Sequence, residues 1–309
     1  MKIPSNKIAD IVRFFRNELN GLYEKEEIET FIAYCFDAFI GLKRVDIFIN
    51  GTSTISESEL LKFNFAIKDL KQYKPIQYIL GKADFYGLKF IVNPDVLIPR
   101  PETEELVDLI IKENTGKKNE EKEGRVKNGR RGMENEKANR ILDIGTGSGC
   151  IAIALKKHLD SFSVCALDVS EQALNIAKKN AVLNKTDIEF FQHDILSANP
   201  LPLPIDALFD IIVSNPPYIG ISEKSLMSNN VVDYEPHLAL FVEDTDPLLF
   251  YKAIADFAKK HLNKNGKIYF EINQAYGLDT KEMLMNTGFH NVMLLKDLNS
   301  NYRILYGHL

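Results

Sequence analysis

From Arg140 onward, short β-type runs alternate with helical stretches, and no other feature constrains the fold of this chain so strongly. RILDIG reads as a buried strand and GCIAIALKKHL as the helix after it. SVCALDV, SEQALNIAKKNAVLN and DIEFFQHD continue the pattern as strand, helix and strand. FDIIVSN, GKIYFEI, HNVMLLK and YRILYG are further strands, with a helix around LLFYKAIADFAKKHL. Such alternation predicts an α/β fold with a mainly parallel sheet covered by helices on both faces.

The region before it divides in two. Residues 1–74 form a small helical domain: Ile8, Ile11, Val12 and Phe15 recur at the helical period, as do Ile28, Phe31, Ile32 and Phe36. SESE at Ser56 is a capping box opening a helix with Leu60, Leu61 and Phe65. Pro75 ends this block, and residues 75–98 read as a β-hairpin linker punctuated by Gly81, Gly87 and Asn93-Pro94. The third region, 99–309, opens on a helix over 102–114 with glutamates in its first turn, where the helix dipole favours them. Within it, 115–139 has almost no apolar residues and reads as a flexible charged insertion; a basic contact arm is the alternative.

Composition excludes some classes of function. A net charge of −5 argues against a dedicated nucleic-acid binder, which usually carries a basic face. Cys35, Cys150 and Cys165 lie far apart with no CxxC spacing, so no disulfide framework or metal site is expected, and a reducing, cytoplasmic setting fits. No apolar run approaches the ~20 residues that span a membrane. The six histidines are scattered without metal-ligand spacing. A monomer is the expected state.

Between the first strand and its helix stands DIGTGSG, Asp143 to Gly149. Its glycines permit a tight turn and close approach of a ligand to the backbone. The second strand ends at Asp168, nineteen positions after Gly149, where a carboxylate can accept hydrogen bonds from ribose hydroxyls. A dinucleotide or S-adenosylmethionine would suit this geometry. GxGxG rather than GxGxxG favours the latter, as does Asp143, which would oppose a pyrophosphate but suit an ammonium near a sulfonium. Gly145, Thr146, Gly147, Ser148, Gly149 and Asp168 are therefore candidate cofactor contacts. Asp194 and Ile195, after the third strand, are placed to border an adenine. Cys150 opens the following helix, a location that lowers the pKa of some thiols, but a small packed residue is the simpler reading.

The fourth strand runs into Asn215-Pro216-Pro217-Tyr218. Ligands of open α/β sheets bind outside the carboxyl ends of the strands, so this tetrapeptide belongs beside the cofactor. The side-chain carbonyl of Asn215 and the backbone carbonyl of Pro216 are two acceptors able to grip one planar –NH2 group. Tyr218 offers a ring face for a flat amide or base. An amide nitrogen is a poor nucleophile because its lone pair is delocalised. Acceptors aimed at its hydrogens offset the charge that develops as it attacks a methyl group, and they align the displacement.

Asn-Pro-Pro-Tyr beside a GxGxG turn resembles the amino-methyltransferase superfamily. NPDVLIPRPETEELVD over 93–108, DYEPHLALF over 233–241 and the ending around Arg303 resemble the release-factor glutamine methyltransferases in particular. The likeness implies a Rossmann-like, seven-stranded methyltransferase fold. It implies transfer from S-adenosylmethionine, leaving S-adenosylhomocysteine, to the side-chain amide of the GGQ-loop glutamine in class 1 peptide-chain release factors. It further implies that Asn215, Pro216, Pro217 and Tyr218 hold that amide, that Asn215 also meets the cofactor, and that Arg100 and Glu102 help line the pocket. The helical domain would dock on the release factor. The chain departs from the pattern in its long insertion, in Ile195, where relatives often carry an aromatic, and in EINQ at 271–274. A nucleic-acid amino-methyltransferase acting on adenine or guanine is the alternative.

Overall fold

A computed structural model describes residues 3, 5–115, 139–199 and 207–309, which fall into two compact units. One comprises 1–82 with 228–234, the other 83–227 with 235–309. Most of the stretch read as a flexible insertion, 116–138, lies outside the described residues.

The first unit is helical: α1 (Ile8–Leu19), α2 (Lys25–Ile40), α3 (Arg44–Ile49), α4 (Glu57–Leu70) and α5 (Ile76–Leu80). The capping box of α4 forms as expected. The Glu59 amide donates to Ser56 Oγ at 3.2 Å, and the Ser56 amide donates back to Glu59 Oε2 at 2.8 Å. The buried stripe of α4 runs through Phe63, Ala66, Ile67 and Leu70, spaced i, i+3, i+4 and i+7. Leu61 and Phe65 lie on the opposite face and are mostly exposed. Phe63 meets Phe15 and Phe39 edge-on, with ring centroids at 6.2 and 5.1 Å, and these rings anchor the core. Within the stretch read as a hairpin linker, Pro75 and left-handed Gly81 bracket the single turn of α5.

The hairpin follows, with β1 (Lys82–Phe85) and β2 (Leu88–Ile91) joined by Tyr86 and Gly87, both at positive φ. Two such central residues give a turn whose twist matches its strands. Next come α6 (Pro101–Thr115), β3 (Arg140–Ile144), α7 (Cys150–His158), β4 (Ser163–Asp168), α8 (Glu171–Asn184), β5 (Glu189–Gln192) and β6 (Phe209–Ser214). After some short elements, α9 (Leu249–His261), β7 (Leu262–Glu271), α10 (Gly277–Thr287), β8 (His290–Lys296) and β9 (Tyr302–His308) complete the chain.

The seven strands form one sheet in the order β8-β9-β7-β6-β3-β4-β5. Pairings from β5 through β7 are parallel, whereas β9 runs antiparallel to both neighbours. The mainly parallel sheet expected from the alternation is therefore present, with the seven strands that the resemblance implies. Its strands are buried on both faces: Ile141, Ile211 and Val213 pack with α6 and α7, while Leu142, Ile144 and Ile212 pack with α9. Among the described residues, no helix is long and apolar enough to cross a membrane.

The strand order also positions the site. From β3 the chain steps outward through β4 to β5, then returns to place β6 on the other side of β3. Between β3 and β6 the direction of winding reverses, and the crevice outside their carboxyl ends is where such sheets take ligands.

Candidate active site

The carboxyl end of β3 carries the glycine turn and that of β6 carries Asn-Pro-Pro-Tyr. One cavity borders both. Its wall includes Gly145, Thr146, Gly147, Ser148, Asp168, Asp194, Ile195, Asn215, Pro216, Pro217 and Arg100. Apolar side chains also line it, among them Val96, Leu167, Leu238 and Ile254. Asp143, Gly149, Glu102 and Tyr218 are not part of that wall, although each stands next to it in sequence or structure.

The turn is held by the strand beyond it. Amides of Gly145 and Thr146 donate to the Leu167 carbonyl at 2.9 and 3.0 Å. Gly145, Gly147 and Gly149 all have positive φ, which glycine adopts without steric cost. A Cβ at Gly145 or Gly147 would meet nothing within 4 Å, so these two backbones face open space. At Gly149 it would meet Ile153 Cδ1 at 3.0 Å and Ala177 Cβ at 3.1 Å, so this glycine lets α7 and α8 close up.

The two acidic residues of this region serve different places. Asp168 accepts from the Gly147 amide at 2.8 Å and the Ser170 amide at 2.9 Å while bordering the cavity. Burial raises its pKa against these donors. Asp143 is fully buried behind the turn, where its Oδ2 accepts from Thr146 Oγ1 at 2.6 Å and from the Ala152 amide at 3.2 Å. Its other oxygen has no partner among the described residues, and burial pushes the carboxyl up to about 7. Asp143 thus braces the turn from within. The Cys150 thiol, which borders the cavity, is driven up to about 12 by burial and is a packed thiol rather than a nucleophile. Asp194 takes the Leu196 amide at 2.9 Å and so caps its own loop beside the cavity.

Around Asn-Pro-Pro-Tyr the structure assembles polar groups that do not stand out in the sequence. Asn215 Nδ2 donates to Thr103 Oγ1 at 3.3 Å, and that hydroxyl donates to Glu271 Oε2 at 2.6 Å. Tyr218 turns its hydroxyl to Glu271 Oε1 at 3.1 Å, while Asn273 Nδ2 donates to the Tyr218 carbonyl. Glu271 and Thr103 are 1% and 2% exposed, and burial raises the Glu271 pKa against its hydrogen-bonded partners and nearby Arg303. In the PRPETE segment, Arg100 Nη2 donates to buried Glu235 Oε1 at 2.6 Å, and Glu235 Oε2 takes the Ile98 amide at 3.3 Å. Glu102 sits half-buried in the first turn of α6.

Asn180 is another residue that periodicity passes over. From the middle of α8 its side chain exchanges hydrogen bonds with both backbone groups of Ile91 and donates to the Ser148 carbonyl at 2.9 Å. It ties the hairpin to the glycine turn, and a polar residue on a helix gives no sequence signal for such a role.

The arrangement fits S-adenosylmethionine. It offers backbone at two side-chain-free glycines, a carboxylate at the end of β4, and an apolar slot by Leu167 and Ile195. Comparison with known proteins agrees. The model of a methyltransferase small domain matches residues 131–233, and that of the PrmC N-terminal domain matches residues 10–81. The catalytic domain of hMettl16, solved in complex with a 3′UTR hairpin, shares the fold, with a TM-score of 0.52 and 18% identity over 84% of each chain. A release factor glutamine methyltransferase of Bacteroides thetaiotaomicron is 42% identical over 96% of this chain and 98% of its own. That of Flavobacterium psychrophilum is 48% identical over 94% of this chain and 95% of its own. With identity at that level along nearly the whole of both chains, this protein belongs to the release factor glutamine methyltransferase family.

Proposed function

We propose that this chain transfers a methyl group from S-adenosylmethionine to the side-chain amide nitrogen of the GGQ-loop glutamine in class 1 peptide-chain release factors. The observation that carries the reading is the placement of Asn215-Pro216-Pro217 in the wall of the same cavity as the glycine turn. Residues suited to the cofactor and residues suited to a planar amide are thereby set side by side.

Gly145 and Gly147, whose amides are held by the Leu167 carbonyl and Asp168, would offer unobstructed backbone to the methionine end of the cofactor, and Asp168 would accept from its ribose hydroxyls. Ile195 and Asp194, in the same cavity wall, would flank the adenine. When bound, the cofactor supplies an electrophilic methyl on a sulfonium leaving group. Asn215 Oδ1 and the Pro216 carbonyl accept the two hydrogens of the glutamine –NH2. That grip orients its nitrogen towards the methyl and offsets the positive charge that develops there. The two prolines stiffen the turn, so the acceptors need little reorganisation. Tyr218 fixes the far side of the turn through Glu271, and Arg100, held by Glu235, presents a charge at the cavity wall. The helical unit docks on the release factor. No observation favours an adenine or guanine acceptor, and the acidic composition weighs against one.

The test is Asn215→Ala, assayed for cofactor binding and for turnover separately. Removing one aimed acceptor should lower kcat by about 10²- to 10³-fold while the cofactor still binds. Turnover within a few-fold of wild type would refute the assigned grip.

A further inference from the structure

Asn215 poses a problem of polarity. Its two amide branches have nearly the same shape, but only the carbonyl branch can accept hydrogens from an –NH2 substrate; the other would set donor against donor. Shape alone does not choose between them, so the hydrogen-bond network must.

The choice is made one residue further out. Thr103 Oγ1 owns a single proton and donates it to Glu271 Oε2 at 2.6 Å. What remains on that oxygen is lone pairs, so the branch of Asn215 facing it is the –NH2, at 3.3 Å. The carbonyl branch is left for the cavity that Asn215 borders. The second oxygen of the same carboxylate takes the Tyr218 hydroxyl at 3.1 Å. One carboxylate therefore fixes both ends of the Asn-Pro-Pro-Tyr turn. The sheet puts it there: Ser214 of β6 pairs with Phe270 of β7, so Glu271 lies level with Asn215.

Stability does not explain this carboxylate. Glu271 is 1% exposed, and a buried ion is commonly less stable than a well-packed apolar residue of the same volume. A role in positioning accounts for it.

We propose that Glu271 and Thr103 are positioning residues that set the amide polarity of Asn215, so that Oδ1 faces the acceptor nitrogen. The direction of donation runs from substrate N–H to Asn215 Oδ1, and from Asn215 Nδ2 through Thr103 to Glu271. This rests on the function proposed above. Thr103→Val keeps the shape but removes the hydroxyl, and frees Asn215 to turn over. Glu271→Gln keeps the volume but offers a donor as well as an acceptor, so the direction is no longer imposed.

The experiment measures steady-state methylation of a purified release factor, with cofactor binding by calorimetry. Wild type comes first, and an absence of glutamine methylation there would overturn the proposed function and the relay with it. Given active wild type, Thr103→Val should lower kcat by about 10- to 100-fold with the release-factor KM and cofactor Kd nearly unchanged. Thr103→Ser, which restores a hydroxyl, should recover most of that loss. Should Thr103→Val prove poorly folded, Glu271→Gln decides, with the same kcat-selective loss expected. An unimpaired kcat in either folded variant, or a Thr103→Ser as impaired as the valine, would overturn the relay and leave the proposed function standing.

Discussion

Replacing Gly149 by alanine should separate the glycine that packs the fold from those that face the cavity. At φ of +82°, an alanine there pays the left-handed penalty of about 1–2 kcal/mol. Its methyl would also sit 3.0 Å from Ile153 Cδ1 and 3.1 Å from Ala177 Cβ, with the Ala177 Cα at 3.4 Å. Those atoms belong to α7 and α8, which would have to part by a few tenths of an ångström; overpacking of this kind costs about 1–3 kcal/mol. The sum is roughly 2–5 kcal/mol. Gly147→Ala, at φ +54° with nothing within 4 Å of the new methyl, carries only the backbone penalty in the free protein. Urea unfolding of both variants without cofactor measures the two costs, and calorimetry with S-adenosylmethionine measures what the Gly147 methyl does to binding. Gly149→Ala should be the less stable, and Gly147→Ala should lose cofactor affinity while remaining folded. Equal unfolding midpoints would refute the packing argument, and unchanged affinity in Gly147→Ala would refute the close approach of a ligand to that backbone.

Asp143 should make the cofactor-free protein lose stability as pH rises. Its carboxyl moves from an ordinary 3.8 to about 7 on folding, so between those values the folded state keeps a proton that the unfolded chain has released. Stability then falls through that window, on the order of a few kcal/mol in all. Asp143→Asn should flatten the slope of melting temperature between pH 5 and pH 7; an unchanged slope would count against the assignment. Phe63→Ala, at the aromatic centre of the helical unit, should cost about 3–5 kcal/mol in urea unfolding. A loss below 1 kcal/mol would mean that the Phe15 and Phe39 contacts do not anchor that core. Glu235→Gln should cost about 1–3 kcal/mol by the same measure, less than a fully buried pair, because Arg100 is a third exposed and can rehydrate. No change would show that Arg100 is not held by this carboxylate.

Much of the architecture could be read from the residues because its central strands are continuous apolar runs bounded by turn residues. RILDI and FDIIVS are buried on both faces, and strands of that kind announce a helix-covered parallel sheet. The antiparallel insertion of β9 between β7 and β8 could not be read, since a strand's pattern does not name its partner. On α4, apolar residues occur on both faces, so periodicity alone could not tell the buried Phe63 from the exposed Leu61 and Phe65. At the site, the glycine turn and Asn-Pro-Pro-Tyr are contiguous in sequence and were legible for that reason. The groups that orient them are not contiguous. Thr103 meets Glu271 across 168 positions, Arg100 meets Glu235 across 135, and Asn180 meets Ile91 across 89. The one available signal is Glu271 itself, a carboxylate ending the apolar run IYF. A charge placed there either disqualifies the strand or has a buried partner.

The most direct test of the account is methyl transfer from labelled S-adenosylmethionine to a purified, unmodified class 1 release factor. A variant with the GGQ glutamine changed to alanine, bulk DNA and rRNA serve as parallel acceptors. Label should appear on the wild-type factor, map to the side chain of that glutamine, and vanish with the alanine variant. Label on the variant as well, or on nucleic acid alone, would contradict the assignment of a glutamine amide as the group that Asn215 and Pro216 hold.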